Sequence, residues 1–263
     1  MDITLFAGCS YTAGIGFDQE KNEPGLWVNL LHSKNDFLNK TKLLNVATSG
    51  RSNAGIFQDA VWTILHNNVK YAFVAWTNVI RYEISVGLEC YATKAFFIPG
   101  SVHLDCKVNS GAYPASYLQN ISDRLTTLAH PHYELVNLIY YINSLISLCE
   151  LKKCQLFFVN ALCDWDKDYF VKKHNVLPEN YTEYTKQLIS ITTRDDDEIF
   201  KIYEKMHNEY NQSGGIRADK WLNLYKSFRS TLIDTNNDNL HPGLQSNFNY
   251  YQQLVKALDS KLN

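Results

Sequence analysis

The six residues Tyr71-Ala72-Phe73-Val74-Ala75-Trp76 form an unbroken apolar run. A strand with one face in water alternates apolar and polar residues, so a strand without alternation has to be covered on both faces. Gln155-Leu156-Phe157-Phe158-Val159 repeats this pattern, and Ile3 to Ala7 is a shorter, mostly apolar version. Leu43 to Ala47 completes a set of four predicted strands. Between them the apolar spacing becomes helical. Leu26 to Leu31 follows Pro24 and Gly25, a second helix carries Ile56, Ala60, Ile64 and Leu65, and Glu134 to Leu151 presents Leu135, Leu138, Ile139, Ile142, Leu145 and Ile146 on one stripe. Strands alternating with helices predict a parallel sheet inside a three-layer α/β/α sandwich. Toward the end of the chain, Trp221 to Phe228 reads as helical and Leu232-Ile233 as a short apolar piece. A loop spans Asp238 to Gly243, and a last helix starts near Ser246.

Two stretches interrupt this order, at about 83–133 and 164–215, and both read as insertions into a single domain covering residues 1–263. The formal net charge of -2 and a pI near 6.4 give no polyanion-binding surface, so nucleic acid is not an expected partner. No apolar run is long enough to span a bilayer, so no membrane association is expected. The opening Met1-Asp2-Ile3-Thr4 reads as the approach to a strand rather than a signal peptide. Cys9, Cys90, Cys106, Cys149, Cys154 and Cys163 show no C-x-x-C spacing, which favours reduced thiols and a cytoplasmic location over a disulfide framework or a zinc site.

In open parallel sheets functional residues collect at the carboxyl ends of the strands. Ser10, Gly50 and Asn78 each directly follow a predicted strand. Near the other end of the chain, Asp238-Asn239-Leu240-His241-Pro242-Gly243 places a carboxylate and an imidazole three residues apart in one loop. A serine hydroxyl needs a base, the base needs an orienting acid, and a developing oxyanion needs N–H donors. Ser10, His241 and Asp238 supply the first three, and the backbone of Ser10 and Gly50 with the side chain of Asn78 supplies the donors. Each residue also has a plainer use: Ser10 as a helix cap, Gly50 as a turn glycine with positive φ, and Asn78 as a partner for strand-end backbone. Cys9 is expected to turn into the core. His130 and His132 are expected on a surface loop with no further metal ligand placed by spacing. Arg81 suits a substrate carboxylate or an ion pair, the ion pair being the expected use.

The segment Gly8-Cys9-Ser10-Tyr11-Thr12-Ala13-Gly14 resembles the first sequence block of the SGNH (GDSL-like) hydrolase superfamily. Gly50 within Asn45 to Asn53, Asn78 within Trp76-Thr77-Asn78, and Asp238-Asn239-Leu240-His241-Pro242 resemble the second, third and fifth blocks, in the family's order. The resemblance implies a flavodoxin-like sheet with Ser10 as nucleophile, His241 as base and Asp238 as its orienter. Gly50 and Asn78 would complete the oxyanion hole with Ser10. It implies an ester hydrolase working through an acyl-enzyme, without metal or organic cofactor, on a small-molecule or glycan ester. The acyl group is expected to be small, such as acetyl on a carbohydrate or other polar carrier. Transfer to another hydroxyl, or a non-catalytic glycan-binding or structural module, are the alternatives. Two departures stand out. Cys9 occupies a place where the family usually has Asp, and Trp76 one that is commonly Gly. With Arg81, Trp76 is therefore expected to contact substrate by narrowing the acyl pocket or stacking on a sugar.

Overall fold

The computed structural model describes residues 1–77, 81–86, 93–98, 101–103, 131–162, 220–223, 227–236, 238 and 241–262. In chain order its elements are β1 (Ile3–Ala7), α1 (Ser10–Ala13), α2 (Trp27–Lys34), β2 (Lys42–Asn45), α3 (Asn53–His66) and β3 (Val69–Trp76). There follow β4 (Tyr82–Val86), β5 (Thr93–Ile98), β6 (Ser101–His103), α4 (Pro131–Lys152), β7 (Gln155–Asn160) and α5 (Leu244–Leu262). The strands β1, β2, β3 and β7 form one parallel sheet in the order β2-β1-β3-β7. This is the flavodoxin-like order, in which the chain starts inside the sheet and winds outward both ways.

Side-chain alternation along each strand explains the three layers. Leu5, Ala7, Ala72, Val74, Trp76, Leu156 and Phe158 pack on one face against Ile56, Ala60 and Ile64 of α3 and Leu138, Ile139, Ile142, Leu145 and Ile146 of α4. Phe6, Tyr71, Phe73, Ala75, Phe157 and Val159 point the other way, toward Trp27, Val28 and Leu31 of α2 and Tyr250, Leu254 and Leu258 of α5. On that second face Phe6, Phe73 and Phe157 stack across three neighbouring strands, with centroids 4.8 and 5.1 Å apart. Burying each such ring contributes roughly 1.5–3 kcal/mol, so this column fixes strand order as well as register. Helix α2 has no side-chain cap at Leu26. Instead its Trp27 N–H donates to Asn247 Oδ1 of α5 at 3.1 Å, joining the two helices of that layer.

The structure departs from the sequence expectations in three places. The first insertion opens as an antiparallel sheet, β4-β5-β6, where the irregular composition predicts no strands. Leu65 is 47% exposed although its helical spacing assigns it to the core. Trp221, read as the start of a helix, instead forms a parallel bridge with Phe158 at the open edge of β7. The reason is that β7 offers unpaired backbone there. The Leu222 N–H donates to Phe158 O (2.9 Å) and the Asn160 N–H to Asn223 Oδ1 (2.8 Å), while Asn223 Nδ2 returns a bond to Asn160 O (3.0 Å). The second expected insertion, at about 164–215, lies outside the described residues, as does His130. Cys9, Cys149 and Cys154 are free and buried. No described helix is long and apolar enough to cross a membrane.

Candidate active site

Ser10 is the first residue of α1, a single helical turn set directly beyond β1. Cys9 precedes it as the extended N-cap residue, and Gly14 closes the turn by donating its N–H to Ser10 O at 3.0 Å. The first-position N–H of Ser10 has no intrahelical acceptor, which leaves it free for an incoming oxygen. Neighbouring elements pin the turn. Trp27 Nε1 donates to Tyr11 O (3.2 Å) and Asn45 Nδ2 to Thr12 O (2.9 Å). Cys9 is fully buried in the α2–α5 layer, as expected, while Ser10 keeps 6% exposure.

His241 is held by one carboxylate at two points. Its Nδ1 lies 2.5 Å from Asp238 Oδ2, and its backbone N–H donates to Asp238 Oδ1 at 2.9 Å. An ionised carboxylate only accepts, so this contact keeps a proton on Nδ1 and leaves Nε2 as the basic nitrogen of the neutral ring. The imidazole stands edge-on to Tyr11, with centroids 5.6 Å apart, which sets it against the residue next to Ser10. Among the described residues no hydrogen bond joins Ser10 to His241.

The loop that carries His241 is built from polar contacts. The Asn236 N–H donates to His241 O at 3.0 Å, and Thr235 bridges Pro242. Asn236 Nδ2 donates to Ile15 O at 2.8 Å, just past α1, while its Oδ1 accepts from the Asp238 N–H at 3.2 Å. Gly16 (φ +92) lies so close to the Asn236 amide that any β-carbon there would collide with it. Asp234 receives the Ser246 and Gln245 N–H groups at 2.6 and 3.0 Å and so caps α5. Burial pushes the Asp234 carboxyl up, but the hydrogen bonds from Ser246 and Gln245 outweigh it and hold the group below its ordinary value.

The remaining predicted residues divide. Gly50, with φ +73, makes the turn after β2, and the Thr48 N–H ties this turn to Gly8 O at 3.1 Å. Asn78 lies outside the described residues. The backbone just before it is clamped by a residue the motif reading missed: Asn53 Oδ1 accepts the Thr77 N–H (2.9 Å) and Asn53 Nδ2 donates to Thr77 O (3.3 Å). Trp76 corrects an expectation. Its ring is fully buried, tilted against Phe158 with centroids 5.7 Å apart, and faces the α3–α4 layer, so it offers no surface to a substrate. Arg81 corrects another, because among the described residues it has no ion-pair partner, and its Nη1 is buried without a hydrogen bond. The Asn53–Thr77 and Asn236–Ile15 contacts carry no local sequence signal, since the partners are 24 and 221 residues apart. Among the described residues no group of three His, Cys, Asp or Glu side chains could hold a metal ion.

No family model matches the chain, and no curated protein matches it. Solved structures similar to it include TesA, at 11% identity over 98% of both chains with a TM-score of 0.46. The psychrotrophic esterase EstA from Pseudoalteromonas sp. is similar at 15% identity over 99% of this chain and 98% of that one, with a TM-score of 0.41. The acetyl xylan esterase AlAXEase is similar at 12% identity over 97% and 98%, with a TM-score of 0.38. What the chain does has to follow from its own residues.

Proposed function

We propose that the chain is a serine ester hydrolase of the SGNH type. Ser10 Oγ attacks the ester carbonyl while His241 Nε2 takes its proton. The oxyanion is received by the N–H groups of Ser10 and Gly50 and the side chain of Asn78. The tetrahedral intermediate collapses, and His241 returns the proton to the departing alcohol. Water activated by the same imidazole then releases the acid from the acyl-serine. The observation that carries this reading is the double hold of Asp238 on His241, at Nδ1 and at the backbone N–H, with the ring set against Tyr11. A carboxylate used only as a loop cap has no need of the ring nitrogen, whereas a base that must be fixed in one tautomer does. The 6% exposure of Ser10 favours a small acyl group such as acetyl, on a polar carrier that remains outside.

The test is labelling by a fluorophosphonate probe in the parent chain, Ser10→Ala and Cys9→Ala. Labelling of the parent and of Cys9→Ala but not of Ser10→Ala is expected. A folded parent that takes no label overturns the esterase reading. Label lost in Cys9→Ala and kept in Ser10→Ala moves the nucleophile to the thiol.

A further inference from the structure

Two arginines follow the carboxyl ends of β2 and β3, and their surroundings differ. Arg51, beside Gly50, is fully engaged. Its Nε and Nη2 donate to Asp59 at 2.8 and 2.6 Å, and its Nη1 pairs with Glu83. Arg81 has no counterpart to either carboxylate. Among the described residues it forms no hydrogen bond or ion pair, and its Nη1 is sealed from solvent. A guanidinium carries five donors, no acceptor, and a charge it does not lose. Buried polar atoms in folded proteins nearly always have partners, and an unpaired guanidinium N–H is among the costliest to leave without one, so an anionic acceptor brought to it is bound favourably.

The placement of Arg81 is fixed from both sides. Before it, Asn53 clamps Thr77 at the end of β3. After it, Glu83 Oε2 accepts from the N–H and Oγ of Ser52 at 3.3 and 3.4 Å, and Glu83 Oε1 holds Arg51. Gly55 leaves room for this carboxylate at the start of α3, since a β-carbon there would collide with it. Arg81 thus lies in the chain between two anchored residues, Thr77 at the end of β3 and Glu83, held on the turn that follows Gly50. The Tyr11 phenol, next to Ser10 and edge-on to His241, is pushed up by burial and pulled back by the fields of Arg229 and Arg81. Both cations therefore act electrostatically on the ring that stands edge-on to His241. Arg229 sits beyond β7, its N–H bonded to Ala161 O at 3.2 Å, beside Phe228, which packs edge-on against Tyr11 at 5.7 Å. The neighbouring anion, Asp238, is committed to His241.

We infer that Arg81 receives an oxyanionic group of the substrate, so that the preferred ester carries a carboxylate or phosphate near its reacting carbonyl. The inference rests on the serine esterase reading. The planar fork of a guanidinium matches two oxygens of either group, which a neutral sugar hydroxyl cannot reproduce. Arg229, exposed beyond β7, adds a second positive charge that favours the approach of the same group.

The test compares esters that differ in charge at one position. On the alcohol side, 3-carboxyphenyl acetate and its phosphate analogue are measured against 3-carbamoylphenyl acetate. On the acyl side, 4-nitrophenyl hemiglutarate is measured against the corresponding carbamoyl ester. On at least one side the parent is expected to favour the charged ester by about tenfold or more in kcat/KM. Arg81→Gln should bring that ratio close to one, chiefly through KM, and Arg81→Lys should restore part of it. The carboxylate and phosphate arms show which oxyanion is preferred. A parent that takes up fluorophosphonate label and hydrolyses charged and neutral esters equally overturns the Arg81 inference alone. So does an Arg81→Gln variant that loses the same factor on both. A parent that takes no label and cleaves no ester overturns the esterase reading and this inference with it.

Discussion

Ser10 stands on a turn whose surroundings are apolar: Cys9 and Tyr11 are buried among Phe6, Trp27, Phe73 and Phe228, and two side-chain donors finish the job. His241 stands on a half-exposed loop with little apolar anchorage, held by Asp234, Asn236 and Asp238 through directed hydrogen bonds. A nucleophile must reach a reacting carbon repeatedly at one angle, and close packing gives that rigidity. A base must pick up a proton at one point and deliver it at another, so a hydrogen-bonded loop that preserves orientation while allowing small displacement suits it. Asn236 couples the two constructions, since its amide grips Ile15 just behind the serine turn and its backbone grips His241.

The comparison breaks hardest if either chemical group is removed. Ser10→Ala and His241→Ala are each expected to lower kcat for 4-nitrophenyl acetate by roughly 10⁴–10⁶, and the double variant should be no slower than either one. Steady-state rates decide this. Additive losses would mean that the two residues do not act as one unit. The next effect sharpens the packed side alone. Phe73→Ala removes the middle ring of the three-ring stack and should cost about 3–5 kcal/mol in urea unfolding. The tightly anchored serine end should show that loss as stability, with kcat per folded molecule changed far less.

On the hydrogen-bonded side the expectation reverses. Asn236→Ala removes the tether to Ile15 and the acceptor for the Asp238 N–H. Unfolding free energy should fall by only about 1–2 kcal/mol. The rate should drop by about 10- to 100-fold, because a base displaced by an ångström loses that much. Rates and urea curves measured on the same sample test it. A loss of stability without a loss of rate would show that the tether has no part in placing His241.

This contrast also governs what was legible in the sequence. The packed side is written locally. The runs Tyr71–Trp76 and Gln155–Val159 announce strands covered on both faces, and Leu138, Ile139, Ile142, Leu145 and Ile146 announce the helix that covers one of them. The pairing of Asp238 with His241 and the left-handed turn at Gly50 are legible too, because each lies in a short loop with a fixed spacing. The tethers are not. Asn53 bonds across 24 residues and Asn236 across 221, and no spacing rule connects such partners. Trp221 departs from its helical pattern for a related reason, since its partner Phe158 is remote and the demand of an open strand edge outweighs local pattern. Trp76 lies away from the substrate side because a period-two strand presents every other side chain to the far layer.

The smallest expected effect tests the outer edge of the histidine side. The Asp234 carboxylate caps α5 from outside the helix, and its hydrogen bonds from Ser246 and Gln245 hold its folded-state value below that of the unfolded chain. A depressed carboxylate adds stability that is fully present above the ordinary carboxylate value and is lost as pH falls through the folded one. Asp234→Asn should therefore destabilise by about 1 kcal/mol near pH 7, the usual worth of an anionic cap at a helix start. The difference between parent and variant should shrink steadily as the pH drops below about 4, where the parent's group also becomes neutral. Thermal unfolding of both chains from pH 7 to pH 3 measures it. A gap that stays constant across that range would mean that shape, not charge, does the capping. The loop would then keep His241 in place at acid pH as well.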